Sequence, residues 1–283
     1  MEFKVLANQS GMSVNDFLRK EKNFSRRIIC SIKFQDGILV NNMPVWTNYK
    51  LKENDIISIV FSEKTSDNTI AEDIPIDIIY QDDYLLAVNK PADMPAHPSF
   101  GHGSGTLANA VTGYYNNNGI KTAVRILGRL DKNTSGLVII SKNQLVHKLL
   151  SERYINKFYT AIVQGKPKNG RIDAPIEDLH EGIRRIVSPN GKPSVTLYKT
   201  IEEKGDFALI ELQLLTGRTH QIRVHMSHIG YPLIGDELYG GKMLMDRQAL
   251  HASRMEFTHP ITGEEIKITA PLPYDMDNFW RSI

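Results

Sequence analysis

Apolar residues recur at helical spacing twice near the start of the chain, first as Val14, Phe17 and Leu18 and then as Ile28, Ile29 and Ile32. The second run follows Ser25, which reads as an N-cap, so two short helices are expected in succession. The runs GILVNN (37–42) and DIISIVF (55–61) look like strands, separated by the polar turn material of Thr47 to Asn54. Residues 63–75, EKTSDNTIAEDIP, are polar, with an isolated Ile70 before Ile74, and read as a linker that contributes little core. The pattern therefore divides the chain into a small αβ unit at 1–62, a linker at 63–75 and a large unit at 76–283.

From Ile76 onward the strand-like runs IDIIY, YLLAVNK, LVIIS, FYTAIVQG, VTLYK, FALIELQLL and EIKITA dominate, interspersed with helical patterns at 106–115, 143–153 and 219–229. The regular strand-helix-strand alternation of a doubly wound sheet is missing. The expected fold is α+β, a large mixed, mainly antiparallel sheet flanked by helices, plus the small N-terminal unit. No internal repeat is visible.

A chain of 283 residues can bury a core in each of two units, and no run is long and apolar enough to cross a bilayer. The start, MEFKVLANQS, does not read as a secretion signal, and the lone Cys30 rules out an internal disulfide and a thiolate zinc cluster, so a cytoplasmic protein is expected. The net charge of +2 does not by itself announce a polyanion partner. Its distribution does more. Arg19, Lys20, Lys22, Arg26, Arg27 and Lys33 face only Asp16 and Glu21, a local surplus suited to phosphate contacts, although a solvated charged face would look the same. No heptad pattern is present, and a monomer is expected.

The stretch RILGRLDKNTSGLVIISKN (125–143) places Asp131 in a polar turn between two apolar strands. Alone, such a carboxylate reads as a turn cap. It is accompanied by NKPADMPAHPS (89–99), KFYTAIVQG (157–165) and LLTGRTHQIRVHMSHIGYPLIGDELYG (214–240). Together these segments resemble the RluA/RluD-type pseudouridine synthases, and SRRIICSIKFQDGILVNN followed by YKLKENDIISIVF resembles the small S-four-type RNA-binding domain. The resemblance implies isomerisation of uridine to pseudouridine in a structured RNA, with large-subunit ribosomal RNA favoured over transfer RNA. It makes Asp131 the catalytic carboxylate, Tyr159 the residue packed on the target uracil, Arg223 the partner of the aspartate, and Arg129 the side chain that enters the RNA stack. Arg218 and His220 in the GRTHQ turn, Lys90, Thr134, Arg26 and Arg27 complete the expected RNA contacts. Two positions depart from the family pattern: Gly128 stands where His or Asp is common, and Asp93 where Gly is common and a positive φ is easily adopted.

The residue types suit the reaction. Breaking the bond between base and ribose, turning the uracil and rejoining it through carbon exchanges neither electrons nor phosphate, so no cofactor or metal is expected. One ionised carboxylate is needed, as nucleophile or as base, and the sequence leaves both routes open. Burial under a base would raise the pKa of that carboxylate, and a bidentate pair with Arg223 would oppose this. Arg223 could otherwise form a surface ion pair, but Ile222, Val224 and Met226 surround it with apolar residues. Tyr159 offers a flat ring to an extruded pyrimidine, and equally fits a plain core tyrosine.

His220, His225 and His228 fall in one expected helix and raise the alternative of a zinc hydrolase. They lack the H-E-x-x-H spacing and its general-base Glu, and the first two lie on different helix faces. SFGHGSGT (99–106) is Gly-rich but lacks the Lys-Ser/Thr ending of a phosphate loop and reads as a loop. A second alternative is an inactive RNA-binding or ribosome-assembly factor of the same fold. The intact Asp131, Tyr159 and Arg223 argue against it.

Overall fold

The computed structural model describes residues 1–60, 69–98, 103–179 and 184–283. The first strand-rich segment forms a four-stranded antiparallel sheet in the order Glu2–Lys4, Ile56–Ile59, Ile38–Val40, Met43–Pro44. Against it lies the helix Arg26–Lys33, whose N-cap Ser25 accepts a hydrogen bond from the Ile28 amide at 3.2 Å and whose Ile28, Ile29 and Ile32 are buried as their spacing required. The preceding element differs from a plain α-helix. One α-turn, Val14–Asp16, runs into a π-helical stretch, Phe17–Glu21, which closes with Lys22 N–H donating to the Phe17 carbonyl and leaves the adjacent Phe17 and Leu18 both buried. The expected strand at 37–42 is also shorter. Asn41 and Asn42 both take positive φ, +51° and +65°, and turn the chain into the short strand Met43–Pro44.

The large sheet has ten strands. Its main path runs Gly170–Asp173, Val195–Lys204, Phe207–Leu214, Asn156–Gln164, Leu250–Thr258, Ser135–Ser141, Leu85–Lys90, Ile78–Gln81, with Glu265–Thr269 alongside Leu250–Thr258 and Arg125–Leu127 alongside Ser135–Ser141. All pairings are antiparallel except that of Leu250–Thr258 with Ser135–Ser141, so the sheet is mixed and mainly antiparallel as the strand pattern implied. Ser135–Ser141 is buried along its whole length. At its parallel seam Gly136 has φ +113°, and a Cβ there would stand 2.3 Å from the Ala252 carbonyl oxygen, so only glycine lets the two backbones meet.

Helices cover the sheet where expected, with bounds set by their caps. Leu107–Asn117 begins at Thr106 in a reciprocal cap with Asn109, and Gln144–Glu152 begins at Asn143, whose Oδ1 accepts from Val146 N–H at 2.8 Å. The third, Gln221–His228, excludes His220, which sits outside it in the left-handed region at φ +56°. The C-terminal helix Tyr274–Ser282 buries Met276 and Trp280 against Ile162, Ile234 and Ala249.

Leu145 and Leu149 of the helix Gln144–Glu152 belong to the same apolar cluster as Phe17, Leu18 and Ile28 of the N-terminal segment. Polar ties flank this contact: Lys148 Nζ donates to Ser31 Oγ at 2.8 Å, and Arg153 donates to the Lys22 carbonyl at 3.3 Å. Of the expected linker, 63–68 lie outside the described residues. Part of the remainder is docked, because the Ile70 carbonyl accepts from Asn109 at 2.8 Å and the Glu72 carboxylate receives the Gly105 N–H at 3.0 Å. Residues 99–102 of the SFGHGSGT stretch also lie outside the described residues.

Candidate active site

Asp131 stands in the tight turn between the strands Arg125–Leu127 and Ser135–Ser141, closed by Thr134 N–H donating to its carbonyl at 3.0 Å. Its carboxylate is 26% exposed. Two elements converge on it. From the helix Gln221–His228, Arg223 Nη1 reaches Asp131 Oδ2 at 3.2 Å. From the central strand Asn156–Gln164, Tyr159 presents a ring that is 5% exposed, packed with Leu130, Leu250 and Ala252. Burial, reinforced by the negative charge of Asp131, pushes the Tyr159 hydroxyl above its ordinary pKa and keeps it neutral.

The bidentate partner of Arg223 is not Asp131. Nε and Nη2 donate at 2.7 and 2.8 Å to the two carboxylate oxygens of Asp236, a residue whose side chain is fully buried. Burial works against the guanidinium charge, but the bonds to Asp236 and the charges of Asp236 and Asp131 outweigh it and raise its pKa. One side chain is thus locked by one carboxylate and offers its remaining edge to the other. The Tyr239 ring lies under the guanidinium, 5.0 Å from centroid to Cζ.

His220 completes this corner. Its Nε2 lies 3.7 Å from Asp131 Oδ2 and its Nδ1 3.0 Å from the Tyr239 hydroxyl, which itself accepts from Arg185 N–H at 2.9 Å. The Tyr239 oxygen thus joins the Arg185 N–H to the His220 ring, and holds that ring with Nε2 turned toward Asp131. Burial lowers the His220 pKa against the pull of Asp131, so the ring is neutral near pH 7.

The other expected contacts divide. Arg129 and Arg218 are exposed, the first two residues from Asp131 and the second tied to the Pro193 carbonyl at 3.3 Å. Arg26 and Arg27 are exposed at the start of their helix. Lys90 and Thr134 are not surface groups. Lys90 is 1% exposed, and its Nζ donates to the carbonyls of Pro91 and Met94 at 2.8 Å and of Lys132 at 3.0 Å. Burial pushes its pKa down to about 7, yet three converging carbonyl oxygens match the three protons of an ammonium, the form this cage is built to hold. Lys90 therefore pins the turn after Asp131 to the 91–94 loop instead of reaching outward. Thr134 is buried and accepts from Gln248 at 3.2 Å. Asp93 takes the positive φ of +61° despite having a side chain, and its carboxylate pairs with Lys132 at 2.9 Å, across the same two loops.

Sequence reasoning passes over Asp236, Tyr239 and Arg247. Arg247 donates to the carbonyls of Asn133 and Leu250 at 3.1 and 3.2 Å and is held by Asp275 at 2.6 Å, which clamps the far side of the Asp131 turn. A signal exists for Asp236: an arginine buried among apolar helix residues needs a buried acid, and GDELYG supplies one within a segment that already stands out. Nothing local marks Arg247. His225, by contrast, is structural, with Nδ1 on Thr196 Oγ1 at 2.8 Å and Nε2 on the Ala174 carbonyl at 2.9 Å, so both nitrogens are engaged.

The family model for RNA pseudouridylate synthase matches residues 84–228, which include Asp131, Tyr159 and Arg223, and the model for the RluD ribosomal pseudouridine synthase N-terminal domain matches residues 1–57. An uncharacterized RNA pseudouridine synthase of Bacillus subtilis, YjbO, is 40% identical over 266 residues, covering 90% of this chain and 94% of its own. The ribosomal large subunit pseudouridine synthase D of Vibrio parahaemolyticus is 42% identical over 229 residues, 73% of this chain and 70% of its own. Among solved structures, human RNA pseudouridylate synthase domain containing 4 superposes with a TM-score of 0.61 at 24% identity, covering 72% of this chain and 92% of its own, a likeness of fold. With a family model spanning the aspartate turn, the tyrosine strand and the arginine helix, and relatives aligned along nearly its full length, this chain belongs to the RNA pseudouridylate synthase family and is a pseudouridine-forming isomerase.

Proposed function

We propose that the enzyme acts on uridines of large-subunit ribosomal RNA, with Asp131 as the carboxylate that attacks or deprotonates the ribose of the extruded nucleoside. The observation that carries this reading is the Arg223–Asp131 contact at 3.2 Å, at a partly exposed turn beside Tyr159. The bond from ribose C1′ to uracil N1 breaks, the base turns, C5 bonds to C1′, the C5 proton leaves to solvent and N1 takes up a proton from solvent, so atoms balance without an outside reactant. Asp131 serves either as the nucleophile at C1′ or as the base at the adjacent ribose carbon. Arg223, immobilised by Asp236, fixes the direction of the carboxylate without needing to reorganise during the reaction.

In this reading the buried Tyr159 forms the floor on which the uracil rests, and the exposed Arg129 fills the stack that the uridine leaves, offsetting the few kcal/mol of extrusion. Residues 1–62 act as an RNA-holding unit, 63–75 as the connection and 76–283 as the catalytic unit. A cleft of about 280 Å³ lined by Arg19, Arg26 and Arg153 supports this, since these three outnumber its one acid, Glu152, and come from both sides of the junction. The ribosomal target is favoured by the activity for which the Vibrio relative is named and by the RluD-type N-terminal match. A cytoplasmic monomer suits that target, and sedimentation of the purified enzyme at one chain mass tests the second half of that statement.

The test is tritium release from ribosomal RNA transcribed with 5-tritiated uridine. Wild-type enzyme should release tritium and Asp131→Asn should not, while both retain RNA binding and melting temperature. Turnover by Asp131→Asn would remove the catalytic assignment, and inactivity of the wild type on this RNA, set against activity on transfer RNA, would move the substrate.

A further inference from the structure

Two residues before Tyr159, on the same face of the central strand, lies Lys157. Its cross-strand neighbours are Leu214 on one side and Met255 on the other, both apolar. The nearby carboxylates Glu211 and Glu256 are in register with Thr160 and Asn156, which puts them on the opposite face of the sheet, where Arg254 pairs with both. Among the described residues Lys157 has no ion pair and no hydrogen bond, and burial alone lowers its pKa.

Half-buried between apolar neighbours, its ammonium is partly stripped of water and is compensated only from outside the chain. The route to the outside is Gly128. Lys157 and Gly128 line a pocket of about 10 Å³, room for one water, together with Leu127, Leu130 and Tyr159. Gly128 has φ +86°, is exposed, and a Cβ on it would stand 3.1 Å from Lys157 Nζ. The missing side chain is therefore what uncovers the amine. The opening is next to the exposed Arg129 and three residues before Asp131.

We propose that Lys157 binds, through the opening at Gly128, a backbone phosphate flanking the extruded uridine. The inference rests on the reading of Asp131 and Tyr159 as the uridine site. An anion answers an unpaired ammonium most strongly, and RNA brings one per nucleotide to the rim where Arg129 stands. Lys157 and Tyr159 are two residues apart, about 7 Å along a strand, which is the reach of one nucleotide from its base to its phosphate. Tyr159 and Lys157 then divide one nucleotide between them, ring under the base and ammonium on the backbone.

The experiment compares wild type, Lys157→Met and Lys157→Gln on tritiated large-subunit ribosomal RNA, measuring kcat, KM, the dependence of KM on salt, and thermal melting. For both variants KM should rise about tenfold with kcat within about threefold of wild type, and the slope of log KM against log salt should fall by about 0.7, the share of one single-strand phosphate. Lys157→Met should melt near the wild-type temperature, because it replaces a half-buried ammonium that no group of the described residues pairs with. A folded variant that keeps the wild-type KM and salt slope overturns the proposal, as does a loss confined to kcat. Should Lys157→Met fail to fold, the lysine is needed for structure and Lys157→Gln decides the binding role. Wild type inactive on this RNA would instead overturn the ribosomal substrate, and the same comparison of KM and salt slope on transfer RNA then decides Lys157.

Discussion

Arg223 gives two hydrogen bonds to Asp236, at 2.7 and 2.8 Å, and one to Asp131, at 3.2 Å. The arginine is thus anchored from behind, and the residue that sets its direction is an acid that does not face the cleft. Asp236→Asn keeps the shape but removes the charge that fixes the fork. Its kcat should fall about 10- to 100-fold, with RNA affinity near wild type, since small misplacements of a positioned group cost about that much. Single-turnover tritium release checks this, and adding Asp131→Asn on top should cost no more than Asp131→Asn alone, because both act through one unit.

Lys90 is expected from the sequence among the RNA contacts, whereas the structure holds it inside a cage of three carbonyl oxygens. Lys90→Met should destabilise the fold by about 2–4 kcal/mol by leaving those acceptors unpaired, measured as a shift in urea midpoint. RNA KM of the folded fraction should stay near wild type. A large rise in KM without loss of stability would restore Lys90 to the RNA surface.

The fold and the site are legible in the sequence to different depths. The cap at Ser25 and the apolar periods at 106–115 and 143–153 mark helices within a few residues, because those signals are local. The pairing of Arg223 with Asp131 follows from the family resemblance. What escapes is set by residues distant in sequence. Asp236 is 13 residues from Arg223, and Asp275 is 28 from Arg247, so neither pair has a spacing that periodicity can register. His220 continues a helical pattern in the sequence, but its left-handed backbone lies outside the helix that Val224 N–H closes by donating to the His220 carbonyl. The Lys90 cage draws on two loops 42 residues apart and is readable from neither.

His251 supplies a pH dependence. Burial pushes its pKa down to about 4 from 6.5, and its Nδ1 lies 3.0 Å from the buried Ser135 hydroxyl. The unfolded chain therefore binds a proton between those values that the folded chain refuses, so stability is complete above pH 6.5 and falls as pH drops toward 4. The loss from this residue is about 3 kcal/mol. His251→Gln should flatten the difference in unfolding free energy between pH 7 and pH 4 by that order, measured by urea titration at both values against wild type. An unchanged difference would show that His251 is protonated in the fold.

Arg26 and Arg27 are exposed at the start of the first long helix. If they hold phosphate as proposed, Arg26→Ala with Arg27→Ala should raise KM, reduce the salt slope by about 1 for each phosphate no longer held, and leave kcat unchanged. Competition with unmodified ribosomal RNA at several salt concentrations measures it. Equal slopes would leave these arginines as solvated surface.

The turn bearing Asp131 is clamped by Arg247, and Arg247 by Asp275 on the last helix. Chain order therefore becomes order in time. While the polypeptide leaves the ribosome, the carboxylate emerges early, but the guanidinium that steadies its turn and the acid behind it follow more than a hundred residues later. The turn that carries the carboxylate is completed only once Arg247 and Asp275 have been made and the helix Tyr274–Ser282 has docked.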